Sequence, residues 1–199
     1  MTPPASYPQL FGSVEALTIA LDVRDVYTRA HCDRVLRLAM DLGEVCRLSQ
    51  AQLENLWIAA RFHDVGKIGV PDVVLLKPTA LTPEEWTLMK EHSAYGERIL
   101  RAAQVPGRDE IADAIRHHHE SFDGSGYPDG LRAEEIPLIC RVLLVVDAYD
   151  AMGTPRPYHR GRSHGEIMEI LESERGWKLD PEVLREFSKM IVNSPARIH

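Results

Sequence analysis

Apolar residues in this 199-residue chain recur every three or four positions, and histidines and aspartates lie on the same stripes. Alternation of period two, the mark of a half-buried strand, is nearly absent. Helix starts are also written into the chain. Ser49-x-x-Gln52, Thr82-Pro83-x-Glu85 and Ser163-x-x-Glu166 read as capping boxes, and Asp180-Pro181 reads as an N-cap followed by a first-turn proline. The expected fold is all-α, a helical bundle with helices near 14–22, 27–47, 50–64, 83–91, 93–103, 109–119, 137–152, 164–174 and 181–192. The run from Val142 to Val146 could be a buried strand, but it continues a longer pattern of helical period. Residues 1–13, with Pro3, Pro4, Pro8 and Gly12, read as a disordered or extended leader, and 14–199 as one domain. Segments 66–71 and 123–130 read as loops.

On helical wheels, His31 shares a stripe with Val35, Leu38, Ala39, Leu42, Val45 and Cys46. His63 follows Leu53, Leu56 and Ala60, with Asp64 beside it; His92 aligns with Tyr95, Gly96 and Ile99. His118 and His119 continue the stripe of Ile111, Ala114 and Ile115, whereas His117 falls off it. Asp147 and Asp150 lie among Ile139, Val142, Leu143 and Val146. A single inward histidine needs only one carbonyl partner, and a His-Asp pair arises about 0.6 times by chance in this composition. Five histidines and two or three aspartates on packed helices would require as many separate solutions for buried polar groups. One metal centre satisfies them together.

Composition narrows the remaining classes. No apolar run approaches the roughly 18 residues of a membrane span, and the N-terminus lacks the basic and apolar blocks of a signal peptide. Cys32, Cys46 and Cys140 are too few and too scattered for a disulfide framework or a C-x-x-C site, so a cytoplasmic location is expected. A net charge of −7 argues against binding a nucleic-acid polymer or an anionic membrane over a broad surface. Imidazole with carboxylate and no thiolate suits Fe, Mn, Co, Ni or Zn. Seven side chains are too many for one ion, and a pair of ions can activate water and stabilise the leaving oxygen of a phosphoester. Lys67, three residues past Asp64, could neutralise a non-bridging phosphate oxygen, or be an ordinary loop lysine. The loop with Gly124, Gly126 and Gly130 could be a tight turn or the lining of a nucleotide pocket.

Two long motifs then resemble a known family. His63-Asp64-Val65-Gly66-Lys67-Ile68-Gly69-Val70-Pro71 and His118-His119-Glu120-Ser121-Phe122-Asp123-Gly124-Ser125-Gly126-Tyr127-Pro128 are similar to those of the HD-GYP domain, a subgroup of the HD metal-dependent phosphohydrolases, from about Val14 to Ile191. The resemblance implies a helical bundle of that type and hydrolysis of cyclic di-GMP to linear pGpG, GMP or both. It implies two divalent transition-metal ions, Fe or Mn, with Zn, Ni or Co also compatible. By position, His31, His63, Asp64 and Asp147 would hold one, and Asp64, His92, His118 and His119 the other. Asp64, Lys67 and Asp150 are the implied catalytic set, with Asp150 a partner for Lys67. Implied substrate contacts are Lys67, Gly126, Tyr127, Arg156 and Arg160.

The chain also departs from the family pattern. Tyr27 stands where some members carry a glutamate ligand for a third metal, so two metals are expected. Arg156-Pro157-Tyr158 is followed by His159 rather than Arg or Lys, with Arg160 one place later, which implies a weakened or shifted phosphate clamp. The Gly-Tyr-Pro segment resembles a surface for diguanylate cyclase or adaptor partners. No receiver or sensor domain is expected within these residues. The different-class alternative is a catalytically weak or silent domain acting as nucleotide sensor or protein-docking scaffold. A haem or oxygen-binding helical protein accounts for scattered histidines but not for paired aspartates on a buried face.

Overall fold

The computed structural model describes the backbone of residues 8–24, 27–103, 107–154 and 160–198, and the side chains of all of these except 8–15 and 27–29. Their regular structure is helical: α1 (Pro8–Arg24), α2 (Tyr27–Val45), α3 (Gln50–Phe62), α4 (Asp72–Leu75), α5 (Pro83–Ala102), α6 (Arg108–His117), α7 (Leu138–Gly153), α8 (His164–Ser173) and α9 (Pro181–Ile191). Short 3-10 turns form at Val65–Gly69 and Ala133–Glu135. None of the described helices is long and apolar enough to cross a membrane.

The helix starts follow the capping chemistry. Ser49, Thr82 and Ser163 each accept the backbone N–H of the glutamine or glutamate three residues on, whose side chain accepts in return. Asp180 accepts from the N–H groups of Glu182 and Val183, with Pro181 in the first turn. The apolar run of α7 is helix and is buried on nearly all sides, because α2, α3, α6, α8 and α9 pack around it. On α2, Val35, Leu38, Ala39 and Leu42 are buried as the wheel requires, but Val45 at the helix end is 41% exposed.

Three expectations need correction. The first helix begins at Pro8, so residues 8–13 are not an extended leader; a proline costs no hydrogen bond in a first helical turn. The expected helices 83–91 and 93–103 are one helix, α5. Ser93 at the supposed break turns its hydroxyl back to the Lys90 carbonyl at 3.1 Å, which lets a serine sit inside a helix. The loop 66–71 opens as a 3-10 turn, held from α1 by Arg24, whose guanidinium donates to the carbonyls of Ile68 at 2.7 Å and Val70 at 2.9 Å.

That turn is pressed onto α5. A Cβ added to Gly66 would lie 1.9 Å from the His92 carbonyl oxygen and 2.4 Å from the Gly96 nitrogen, both backbone atoms that cannot step aside. The contact sets how far Asp64 and Lys67 stand from His92. Gly66→Ala is therefore expected to cost about 3 kcal/mol or more in urea unfolding, by overpacking against backbone. Gly165→Ala is the matched control: nothing lies within 4 Å of its Cβ, and it should leave stability unchanged or raise it by up to about 1 kcal/mol.

Candidate metal centre

Three helices and the ends of two others bring the predicted residues together. His31 comes from α2, His92 from α5 and Asp147 from α7, while His63 and Asp64 follow the last turn of α3 and His118 and His119 that of α6. Ring centroids lie 5.4 Å apart for His31 and His63, 5.4 Å for His63 and His118, 5.3 Å for His92 and His118, and 3.9 Å for His118 and His119. Donor atoms of His31, His63 and Asp64 form one compact group, and those of His92, His118 and His119 another. His31, His63, Asp64, His92 and His118 are buried, whereas His119 and Asp147 are only partly covered.

Three of these rings are fixed by the same local bond. His63 Nδ1 donates to the Ala60 carbonyl at 2.9 Å, His92 Nδ1 to Met89 at 2.7 Å and His118 Nδ1 to Ile115 at 2.6 Å, each three residues back. A carbonyl can only accept, so the hydrogen is on Nδ1 and the Nε2 lone pair points inward. For His63 and His118 the carbonyl is among the last four of a helix, which have no partner inside it. Nε2 of His92 and Nε2 of His118 then face each other at 3.4 Å, and Nε2 of His63 is buried with no hydrogen-bond partner. Lone pairs converging in a buried pocket fit a transition-metal ion, which accepts what no hydrogen bond here can.

Asp64 joins the two groups. Its Oδ1 lies 3.7 Å from His92 Nε2, and its Oδ2 lies 3.7 Å from His63 Nε2 and 2.7 Å from Lys67 Nζ. Asp147 Oδ1 is 3.0 Å from His31 Nε2 and 3.8 Å from His63 Nε2. Burial opposes the charge on Asp64, but Lys67 and the surrounding imidazoles outweigh it and hold the carboxyl well below its ordinary range. Burial likewise opposes the charge on Asp147, and the bond from His31 keeps it ionised.

The partner expected for Asp150 is wrong. Lys67 pairs with Asp64, while Asp150 accepts from His31 Nδ1 at 2.7 Å and is gripped by Arg34, Nε to Oδ1 at 2.6 Å and Nη2 to Oδ2 at 2.9 Å. Asp150 thus orients a histidine rather than meeting the reacting atoms. Arg34 was absent from the residues selected on sequence; its signal is the spacing of three from His31, which puts both on one face of α2.

The glycine loop packs against the histidines. Tyr127 lies 4.9 Å from His119, ring to ring, and its N–H donates to the His119 carbonyl at 3.2 Å. Buried Glu120 accepts from the N–H groups of Asp129 and Gly130, closing the loop. A Cβ on Gly126 would lie 2.1 Å from Ser121 N, so this glycine is required by a backbone crossing. Arg160 is exposed and near Glu166 at the start of α8; Arg156 and His159 lie outside the described residues, as does the Tyr27 side chain. A third group, His117, Glu120 and Asp129, already carries a cation, because Arg116 binds both oxygens of Asp129 at 2.7 Å.

Burial holds His92 and His118 below the ordinary imidazole value of 6.5 and takes His119 down to about 3. Burial also disfavours charge on His31, but its bonds to Asp147 and Asp150 prevail and raise it to about 9. In metal-free protein the first three stay neutral when folded and take up protons when unfolded, so stability falls as pH drops from about 6.5 towards 3. The His31 contribution is full below about 6.5 and is lost as pH rises through about 9. Urea midpoints of chelator-treated protein should peak near neutrality, with an acid limb made shallower by His119→Gln. A midpoint flat from about pH 6.5 to 4 would contradict this accounting.

Comparison with known proteins agrees with this geometry. The HD domain family model matches residues 13–183. A cyclic di-GMP phosphodiesterase of Thermotoga maritima is 40% identical over 181 residues, covering 91% of this chain and 49% of that protein. The cyclic di-GMP phosphodiesterase response regulator RpfG of Xanthomonas campestris is 38% identical over 169 residues, 85% of this chain and 45% of its own. A 3'3'-cGAMP-specific phosphodiesterase of Vibrio cholerae is 32% identical over 168 residues, 84% of this chain and 32% of its own. The chain thus spans half or less of the length of these relatives. Among solved structures, an HDG"Y"P protein of Bdellovibrio bacteriovorus superposes with a TM-score of 0.66 at 18% identity, over 83% of this chain and 52% of that one. The PgpH HD domain of L. monocytogenes, solved with cyclic-di-AMP, gives 0.60 at 15% identity over 88% and 92%. At these identities the superpositions establish the helical fold, and with the family match and the unbroken motifs they lead to one assignment: the chain belongs to the HD domain family, in its HD-GYP subgroup.

Proposed function

We propose that this chain is a metal-dependent phosphodiesterase that hydrolyses cyclic di-GMP to linear pGpG, GMP or both. The observation that carries the reading is Asp64, one carboxylate 3.7 Å from both His63 Nε2 and His92 Nε2, whose hydrogens sit on Nδ1 and whose lone pairs face the pocket. His31, His63, Asp64 and Asp147 would hold one divalent ion, and Asp64, His92, His118 and His119 a second, Fe or Mn being the favoured metals and Zn, Ni or Co compatible with the donors. When bound, such a pair supplies activation of water and Lewis-acid stabilisation of phosphoryl oxygens. The names of the relatives, cyclic di-GMP and cGAMP phosphodiesterases, support a cyclic dinucleotide as substrate.

The chain's own groups have separate tasks. An ammonium offers three donors, so Lys67 can keep its bond to Asp64 and also meet a non-bridging phosphate oxygen as charge builds. Asp150, clamped by Arg34, fixes the ring of His31. Burial pushes the Tyr127 phenol up, so it stays protonated and able to donate to a phosphate or ribose oxygen. Pro128, Asp129 and Gly130 are exposed, which leaves the outer edge of the same loop open to a diguanylate cyclase or an adaptor.

Anaerobic reconstitution with Fe(II) or Mn(II) is expected to load about two ions per chain and to give turnover of cyclic di-GMP, in competition with cGAMP. Loading without turnover of any cyclic dinucleotide would favour the scaffold reading; no loading would remove the site itself. Lys67→Met should lower kcat by about 100-fold or more with metal content unchanged, the scale of a lost charge-stabilising donor. Arg34→Met should weaken metal binding by about 10- to 100-fold, the usual cost of removing a group that orients a ligand, with partial rescue by Arg34→Lys.

A further inference from the structure

The aromatic contacts continue outward from the metal-facing histidines. Tyr127 is tilted 34° on His119 at 4.9 Å, and Trp86 meets the Tyr127 ring edge-on at 6.4 Å. Trp86 is 46% exposed, whereas Trp57 is 3% exposed in the core; exposed Trp177 has its indole N–H bonded to the Ser173 carbonyl. Its backbone is held firmly, because Trp86 N donates to Thr82 O at 2.8 Å in the capped first turn of α5, and Lys77 pairs with Glu85 at 2.5 Å beside it. Lys90, one turn further along the same face, sets its ammonium 5.2 Å from the centre of the Tyr127 ring. A lone exposed aromatic needs no explanation, but this one ends a ring-to-ring array that begins at the candidate reaction centre and carries a cation over its middle ring, Tyr127.

From this array we propose that Trp86 is the stacking platform for a purine base of the substrate, with Lys90 facing the phosphate that is not being cleaved. The proposal rests on the reading of the site as a cyclic dinucleotide hydrolase and adds a base-recognition subsite on α5. A flat indole fixed at its backbone and 46% exposed suits a heterocycle that must be held while its diester lies over the histidines. Edge-on support from Tyr127 keeps the indole from turning away from the centre.

The test uses the metal-loaded chain of 199 residues and compares wild type, Trp86→Ala and Trp86→Phe. Base stacking on an aromatic residue predicts that Trp86→Ala raises KM for cyclic di-GMP by about 5- to 100-fold with kcat nearly constant, and that Trp86→Phe recovers most of the loss. Titration with GMP is read separately through tryptophan emission: wild type should be quenched, and Trp86→Phe should bind with most of the quench gone. Cyclic di-UMP, with smaller bases, should lose less on Trp86→Ala than cyclic di-GMP does. Unchanged KM in Trp86→Ala, or full quenching of Trp86→Phe, overturns the subsite while leaving the hydrolase intact. If no cyclic dinucleotide is cleaved but the GMP quench still depends on Trp86, the subsite stands and the hydrolase reading falls.

Discussion

The site depends on a short bond repeated three times, an imidazole Nδ1–H given to the carbonyl three residues earlier, at His63, His92 and His118. This one interaction answers a carbonyl of the helix, fixes the tautomer and aims Nε2 away from the helix that carries it. Burial alone would make each ring a liability, since a polar atom without a partner in the core costs free energy. Here the outlay on each ring is halved locally, and the remaining lone pairs are directed to a common place. Asp64 and Asp147 supply the negative charge that such a place needs if cations are to be held there.

The packing around α7 turns these local choices into a constellation. α7 is covered on nearly all sides, so Asp147 and Asp150 have little freedom of position, and α2 lays His31 and Arg34 against them. The turn after α3 is held between Arg24 of α1 and the backbone of α5, which ties the Asp64 and Lys67 pair to His92. Side chains from distant parts of the sequence therefore share one rigid frame, as a constellation that holds reacting groups in fixed geometry requires.

Much of this was legible before any coordinates. Caps and apolar stripes carried the helices, because both are local physics, and the stripes picked out His31, His63, His92, His118, His119 and Asp147 as residues that converge. Failures came where a distance across the fold decided the matter. The pairing of Asp150 with Lys67 rests on the family resemblance, and neither resemblance nor spacing along the chain says which of two cations reaches a carboxylate. Arg34 carries no local signal beyond its spacing from His31, since an arginine on a helix is ordinarily solvated and only the fold brings Asp150 within its reach. The expected helices 83–91 and 93–103 are one, because nothing between them breaks the turn: the Ser93 hydroxyl bonds the Lys90 carbonyl and leaves the backbone helical.

The close approach at Gly66 has an evolutionary side. Backbone atoms block any substituent at that position from two directions, so no neighbouring side chain can shrink to make room. A substitution here would have no single compensating side-chain change to relieve it. A change of preference that leaves this frame undisturbed has to fall on exposed positions instead, such as Pro128 to Gly130 on the outer loop edge or Trp86 in the first turn of α5.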